Sequence, residues 1–288
     1  MTADPNNNGD SGEGPDTRSY LTYLRTNREF TAEAVRTAID SLPWPDSRAA
    51  DIVDVGTGAG GALGPLLDQL SANCGGGVLA IDKDARSIAE AKTQIIDLPD
   101  GVEADVRIGD LWDIADDYDL IWASDVVWPA SFAEPAQVVQ RLSRSLKPGG
   151  TLALFTTNYY QSMFLPGHSR LERLIRTASE LTWGLPNDGP HHYELLGSWM
   201  RASGLHDVAV TSVPITAFAS ESGAAPYLSQ IVWPEMRHAV SARGHAAGMS
   251  DVDVARAEAL LDPDSDEYVG RDPSMFVMQP TLLWTARA

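Results

Sequence analysis

A single cysteine, Cys74, stands in 288 residues, which excludes an internal disulfide framework and a thiolate metal cluster. A lone cysteine is ordinarily a small apolar residue, and a reducing cytoplasm is the expected compartment. Basic residues are scarce: 21 Lys and Arg face 40 Asp and Glu, a formal net charge of −19. Such a field repels phosphate backbones and no local basic patch offsets it, so the expected partner is a small-molecule substrate and no nucleic acid. No apolar run reaches the roughly 18 residues of a membrane span, so no membrane is expected either. Residues 1–16 are rich in Asn, Gly, Asp and Pro, lack the basic-then-apolar order of a signal peptide, and read as a disordered tail. There is no internal repeat, and monomer and homodimer are both open.

What is present is an alternation of strand and helix. Leu21, Leu24, Phe30, Val35 and Ile39 recur at mainly helical spacing until Pro43-Trp44-Pro45 stops them, which predicts a helical cap over 17–50. Strands are then expected at 51–55, 78–82, 102–108, 119–123 and 151–156, with helices at 59–72, 84–96 and 132–146. Alternation of this kind implies right-handed crossovers and a mostly parallel sheet with helices on both faces, an α/β Rossmann-like fold. Residues 51–288 read as one such domain carrying two helical insertions, at about 158–190 and 219–273. The first insertion looks like a lid over the carboxyl ends of the strands. Between and after the insertions come a helix at 191–203, a strand at 208–213, helical residues at 225–261 and one β run at 275–284.

The most informative stretch is Asp54 to Gly61, D-V-G-T-G-A-G-G, directly after Ile52-Val53. A strand that ends in a glycine turn and opens into a helix brings backbone N–H groups close to a ligand, which suits an adenosine-containing cofactor. The glycine spacing alone fits two cofactor classes, because Gly56, Gly58 and Gly61 satisfy one pattern and Gly56, Gly58 and Gly60 the other. Asp82, at the end of the second strand, is placed to accept both ribose hydroxyl protons in either class. Asp54 separates them: an acid there repels the pyrophosphate of a nicotinamide cofactor but helps hold a cationic amino group. Gly109-Asp110-Leu111 follows the third strand, where Asp110 can take the adenine amino group and Leu111 can pack on the ring. The plainer roles for these acids are a helix cap for Asp110 and a solvated strand-end turn for Asp82.

The ordered set V-D-V-G-T-G-A-G-G, A-I-D, G-D-L, D-L-I-W-A-S-D and L-K-P-G-G over about residues 50–156 resembles the class I S-adenosylmethionine-dependent methyltransferases. The resemblance implies a seven-stranded sheet whose last strand is antiparallel. It also implies S-adenosylmethionine as cofactor, S-adenosylhomocysteine as product, and cofactor contacts from Asp54, Gly56, Gly58, Asp82, Asp110 and Leu111, with Lys83 and Ser124 beside them. Asp125 and Asn158 are similar in position to the oxygen ligands of metal-dependent catechol-type members. Asn158 is preceded by Thr157 where that group pairs Asp with Asn, so no metal is expected. The Pro-Pro-Tyr signature of nucleic-acid amino-methyltransferases is missing from Ser124-Asp125-Val126-Val127.

Methyl transfer from a sulfonium is mostly positioning and desolvation, with a base needed only where the attacking atom carries a proton. His191, His192 and Tyr160 are the candidate catalytic residues. Tyr20, Tyr23, Trp128, Tyr159 and His168 are the candidate walls for a flat, apolar acceptor. The Ala-, Arg- and Asp-rich style resembles actinobacterial natural-product tailoring methyltransferases, a group that includes indole C3-methyltransferases of pyrroloindoline pathways, and that reaction is the specific expectation. O- or N-methylation of a small metabolite, a cyclase or pericyclase that keeps the cofactor without using its methyl, and an NAD-dependent oxidoreductase are the alternatives. Asp54 and the Lys147-Pro148-Gly149-Gly150 turn argue against the last.

Overall fold

The computed structural model describes residues 17–44, 49–73, 75–95, 97–115, 117–128, 132–185 and 192–288; the predicted tail, Cys74 and His191 lie outside them. Nine strands are described: β1 Ala50–Val55, β2 Gly76–Asp82, β3 Val102–Ile108, β4 Tyr118–Ser124, β5 Leu146–Thr157, β6 His206–Ser212, β7 Ile215–Phe218, β8 Phe276–Gln279 and β9 Thr281–Arg287. The helices are α1 Thr17–Asp40, α2 Leu63–Asn73, α3 Ala85–Lys92, α4 Pro135–Arg144, α5 Ser169–Trp183, α6 Leu196–Ala202, α7 Ala225–Tyr227, α8 Trp233–Arg243 and α9 Asp251–Leu261.

Seven strands form one sheet in the order β3-β2-β1-β4-β5-β9-β6. β9 runs antiparallel to both of its neighbours, and the other pairs are parallel. The central strands are apolar on both faces, as a sheet covered twice requires. Their period of two sorts the side chains. Ile52, Leu120, Trp122, Ala153 and Phe155 join a core with α1, α2 and α3. Val53, Val55, Ile121, Ala123, Leu152 and Leu154 join a second core with α4 and α6. A third core gathers Phe30 of α1 with α5, α8, α9 and Val277 of β8, away from the main sheet.

Several elements differ from expectation for local reasons. α2 starts at Leu63 rather than at 59, because Gly56, Gly58 and Gly60 all have positive φ and Gly60 bonds back to the Thr57 carbonyl, so the chain turns before it coils. The final β run is two strands. Pro280 lacks an N–H and separates β8, which pairs with β7 in a small sheet, from β9, which enters the main one. Residues 225–261 form separate helices, since Gly248 turns the chain at φ 87 and Ser250 with Asp253 makes a capping box that starts α9 afresh. The helix expected over 191–203 begins at Leu196. β7 was not anticipated.

Lys147 of the Lys-Pro-Gly-Gly turn belongs to β5 and works at the far end of the sheet from the glycine loop. Its ammonium donates to Asp51 Oδ2 at 2.6 Å and to Asp119 Oδ2 at 2.9 Å, and Asp119 Oδ2 also accepts from the Asp51 N–H at 2.9 Å. Asp119 is buried, so Lys147→Met takes away the cation that neutralises it. A loss of about 2 kcal/mol is expected, read by urea denaturation, with cofactor affinity unchanged; full stability would remove this role.

Candidate active site

The order of strands reverses between β1 and β4, and the crevice at their carboxyl ends is where an open α/β sheet offers a ligand site. A cavity of about 460 Å³ lies there, within the range of small-molecule sites. The glycine loop forms its floor, the ends of β2 and β4 its sides, and α1 its roof. One face of α1 supplies Tyr20, Tyr23, Leu24, Asn27, Arg28, Thr31 and Val35 at helical spacing. The roof is tied down at several points. Arg28 Nη1 donates to the Ala59 carbonyl at 2.9 Å, and Arg25 and Arg28 reach Glu90 of α3 at 2.6 and 3.4 Å. Further along, Arg36 pairs with Asp68 of α2 at 2.9 Å.

The loop conformation is built from glycine. Gly56 has φ 69 and Gly58 has φ 53, both left-handed. A Cβ on Gly56 would run into Val126 Cγ2, and one on Gly58 would stand 3.4 Å from Leu24 Cδ2 of the roof. Asp82 locks the loop from the side: its Oδ2 accepts from the Gly58 N–H at 3.0 Å and its Oδ1 from the Asp84 N–H at 2.9 Å. Two donors leave the carboxylate with acceptor capacity to spare.

Two residues lining the cavity carry buried polar atoms that lack a hydrogen-bond partner among the described residues, Asn27 Oδ1 and Trp122 Nε1, and the buried Asp54 carboxyl beside them has the Thr57 hydroxyl acting on it. Buried polar atoms in folded proteins are nearly always paired, so such atoms around one cavity mark a surface made for a polar ligand. Asp54 is the strongest of these groups. Burial pushes its carboxyl up to about 7 against the pull of the Thr57 hydroxyl, and the nearby Asp82 charge adds to the rise. A cation placed against it relieves both effects.

Of the residues named from sequence, Asp54, Gly56, Gly58, Asp82, Lys83, Leu111, Ser124, Tyr20 and Tyr23 line the cavity. Asp110 does not. Its Oδ1 accepts from the Trp112 N–H at 3.1 Å as the cap of a short 3-10 turn, and its Oδ2 pairs with Lys83 Nζ at 3.0 Å. Tyr160, Trp128, Tyr159, His168 and His192 are also outside the lining. Tyr160 stacks on Trp128 with centroids 6.0 Å apart and meets Tyr159 edge-on at 5.2 Å, and Tyr159 packs on Phe164. These rings pack on one another and on Phe164 rather than lining the cavity. His168 precedes α5, where burial and Arg256 lower its pKa. His192 Nδ1 accepts from the Glu194 N–H at 3.3 Å at the start of a turn leading into α6.

Sequence reading missed Asn27, Thr31 and Trp122, and weighed Asp125 only as a metal-ligand position. The i, i+3, i+4, i+7, i+11 spacing of Tyr20, Tyr23, Leu24, Asn27 and Thr31 was the available signal for the roof. Asp125 lines the cavity at the end of β4, with its carboxylate accepting from the N–H and the hydroxyl of Thr157. Among the described residues no group of three His, Cys, Asp or Glu is placed to hold a metal ion, and no helix is long and apolar enough to cross a membrane.

Comparison with known proteins agrees with this geometry. Residues 53–152 match the family model of a methyltransferase domain. That stretch contains the glycine loop and the ends of β2 and β4 that line the cavity. It is 28% identical over 166 residues to a ubiquinone biosynthesis O-methyltransferase from Xanthomonas euvesicatoria pv. vesicatoria, covering 54% of this chain and 62% of that protein. It is 27% identical over 205 residues to the corresponding protein of Xylella fastidiosa, covering 66% of this chain and 76% of the relative. The chain therefore spans somewhat under two thirds of the length of the Xanthomonas relative. Among solved structures, a chain from the complex between the Haloferax volcanii Trm112 methyltransferase activator and a methyltransferase superposes with a TM-score of 0.52. The identity is 19%, with 94% of this chain and 95% of that one covered, and the likeness shows the shared fold.

Proposed function

We propose that this protein transfers a methyl group from S-adenosylmethionine to a small, flat, largely apolar acceptor. The observation that carries the reading is the set of unpaired buried polar atoms around one cavity, with the left-handed glycine loop as its floor. The cofactor supplies a methyl group made electrophilic by its sulfonium. Asp54 holds the cationic amino group, Asp82 takes the ribose hydroxyls, Gly56 and Gly58 let the backbone approach, and Leu111 packs on the base with Lys83 and Ser124 at the edges. α1 covers the ligand and excludes water, which strengthens each of these contacts.

Tyr20 and Tyr23 on α1 supply aromatic wall for the acceptor. Methylation of an indole at C3, as in natural-product tailoring, is the specific reading. O-methylation of a phenol is the alternative, favoured by the likeness to ubiquinone O-methyltransferases. Mass spectrometry across indoles, phenols and amines tests the proposal: a gain of one methyl that requires S-adenosylmethionine supports it. Turnover that persists with S-adenosylhomocysteine instead would point to a cyclase using the fold without its methyl.

A pH dependence follows from Asp54. Its raised carboxyl is neutral in the ligand-free protein below about pH 7, so a cationic ligand must expel a proton there and need not above it. Affinity for S-adenosylhomocysteine, measured by calorimetry, should fall by up to about tenfold per pH unit below 7 and level off above it. The same shift makes the ligand-free protein less stable as pH rises between about 4 and 7, because the folded state binds the extra proton. Asp54→Asn should flatten the affinity profile; an unchanged slope in that variant assigns the proton elsewhere.

A further inference from the structure

We infer that Asp125 takes the proton of the methyl acceptor, and that the end of the cavity it shares with Tyr23 is the subsite for an acceptor with an acidic proton, such as a phenol or an indole. Resting on the methyl-transfer reading of the cavity, this assignment follows from position, conformation and partners. Four carboxylates line the cavity among the described residues. Asp54, Asp82 and Asp84 belong to the glycine loop and the end of β2, while Asp125 stands alone at the end of β4.

Its backbone is unusual. Three described residues other than glycine have positive φ, and two of them, Asp117 and Asp207, are exposed; Asp125, at φ 53, is the one in the cavity wall. A conformation that side chains rarely adopt persists where the surroundings hold it, and such residues gather at functional sites. The surroundings are specific here. The Asp125 N–H donates to the Phe155 carbonyl at 2.9 Å, the Thr157 N–H donates to Oδ1 at 2.7 Å, and the Thr157 hydroxyl donates to Oδ2 at 2.9 Å. The carboxylate is thereby fixed in orientation with acceptor capacity left over.

The groups acting on this end are Thr157 from β5, Tyr23 from α1 and Tyr227 from α7. Burial pushes the Asp125 carboxyl up to about 6 against the pull of the Thr157 donors, which brings it near the range where a general base works at neutral pH. The charge of Asp125 in turn helps to raise the Tyr23 phenol, after burial, so Tyr23 stays protonated and can donate to a bound acceptor. In the step itself the acceptor's O–H or N–H proton passes to an Asp125 oxygen while the acceptor's electron pair bonds to the methyl carbon. The carbon–sulfur pair stays on sulfur, and Asp125 releases its proton to solvent before the next turnover.

The test compares wild type, Asp125→Asn and Thr157→Val in three measurements. These are S-adenosylhomocysteine affinity by calorimetry, methyl transfer to phenol and indole between about pH 5 and 9, and melting temperature against pH. Asp125→Asn should bind S-adenosylhomocysteine within about threefold of wild type yet transfer methyl at least ~100-fold more slowly, with no rate inflection near pH 6. It should also lack the part of the wild-type fall in melting temperature between about pH 4 and 6 that a raised carboxyl causes. Thr157→Val removes a donor to the charged form and should move the inflection upward. An Asp125→Asn variant with the wild-type rate and inflection overturns the assignment. So does one whose cofactor affinity falls in step with its rate. A wild-type protein that binds S-adenosylhomocysteine but methylates neither probe overturns the transfer reading together with the base.

Discussion

Asp82→Ala should weaken S-adenosylhomocysteine binding by about two orders of magnitude or more, because one carboxylate serves both the loop and the ligand. Its two oxygens accept from the Gly58 and Asp84 N–H groups at 3.0 and 2.9 Å, so the side chain pins the glycine turn in the shape that meets the cofactor. Asp82 also lines the cavity, where the ribose hydroxyls are proposed to lie. Hydrogen bonds to a charged group contribute about 1.5–3 kcal/mol each, and losing two toward the ligand accounts for a factor of at least ~100. Asp82→Asn keeps one acceptor oxygen and should fall between. Calorimetry reads both variants, and an alanine variant with wild-type affinity would refute the ribose role.

Gly56→Ala should abolish detectable cofactor binding while leaving the sheet folded. Two separate effects add. An alanine at φ 69 carries a left-handed penalty of about 1–2 kcal/mol, and its methyl has no room against Val126 Cγ2. The turn must shift, and with it the N–H groups that approach the ligand. Adding Val126→Ala makes space but leaves the φ penalty, so the double variant should recover part of the binding and none of the conformational cost. Circular dichroism and calorimetry together check this; full binding in Gly56→Ala would mean that the loop does not touch the ligand.

The sheet and the glycine-loop end of the candidate site were legible in the sequence because their signals are local. Strands apolar on both faces, a glycine turn after Val55 and acids at the ends of β1 and β2 all act within a few residues of where they stand. The rest of the cavity wall was not, because it is assembled by tertiary packing. Tyr160, Trp128 and Tyr159 have the composition of a pocket wall yet stack on one another, whereas Asn27 and Thr31 look like an ordinary polar helix face and form the roof. Asp125 drew notice as a metal-ligand position, and its left-handed φ and its bonds to Thr157 have no sequence signature. Asp110 followed the plainer reading, that of a cap, through its bond from Trp112. The Lys-Pro-Gly-Gly turn lies at the opposite end of the sheet from the glycine loop, neutralising Asp51 and Asp119.

The most direct measurement is a pair of calorimetric titrations of the ligand-free protein at pH 7.5, one with S-adenosylhomocysteine and one with NADH. One equivalent of S-adenosylhomocysteine should bind, with affinity lost in Asp82→Ala, and NADH should produce no binding heat. Tight binding of NADH with none of S-adenosylhomocysteine would contradict the reading of the cavity under α1.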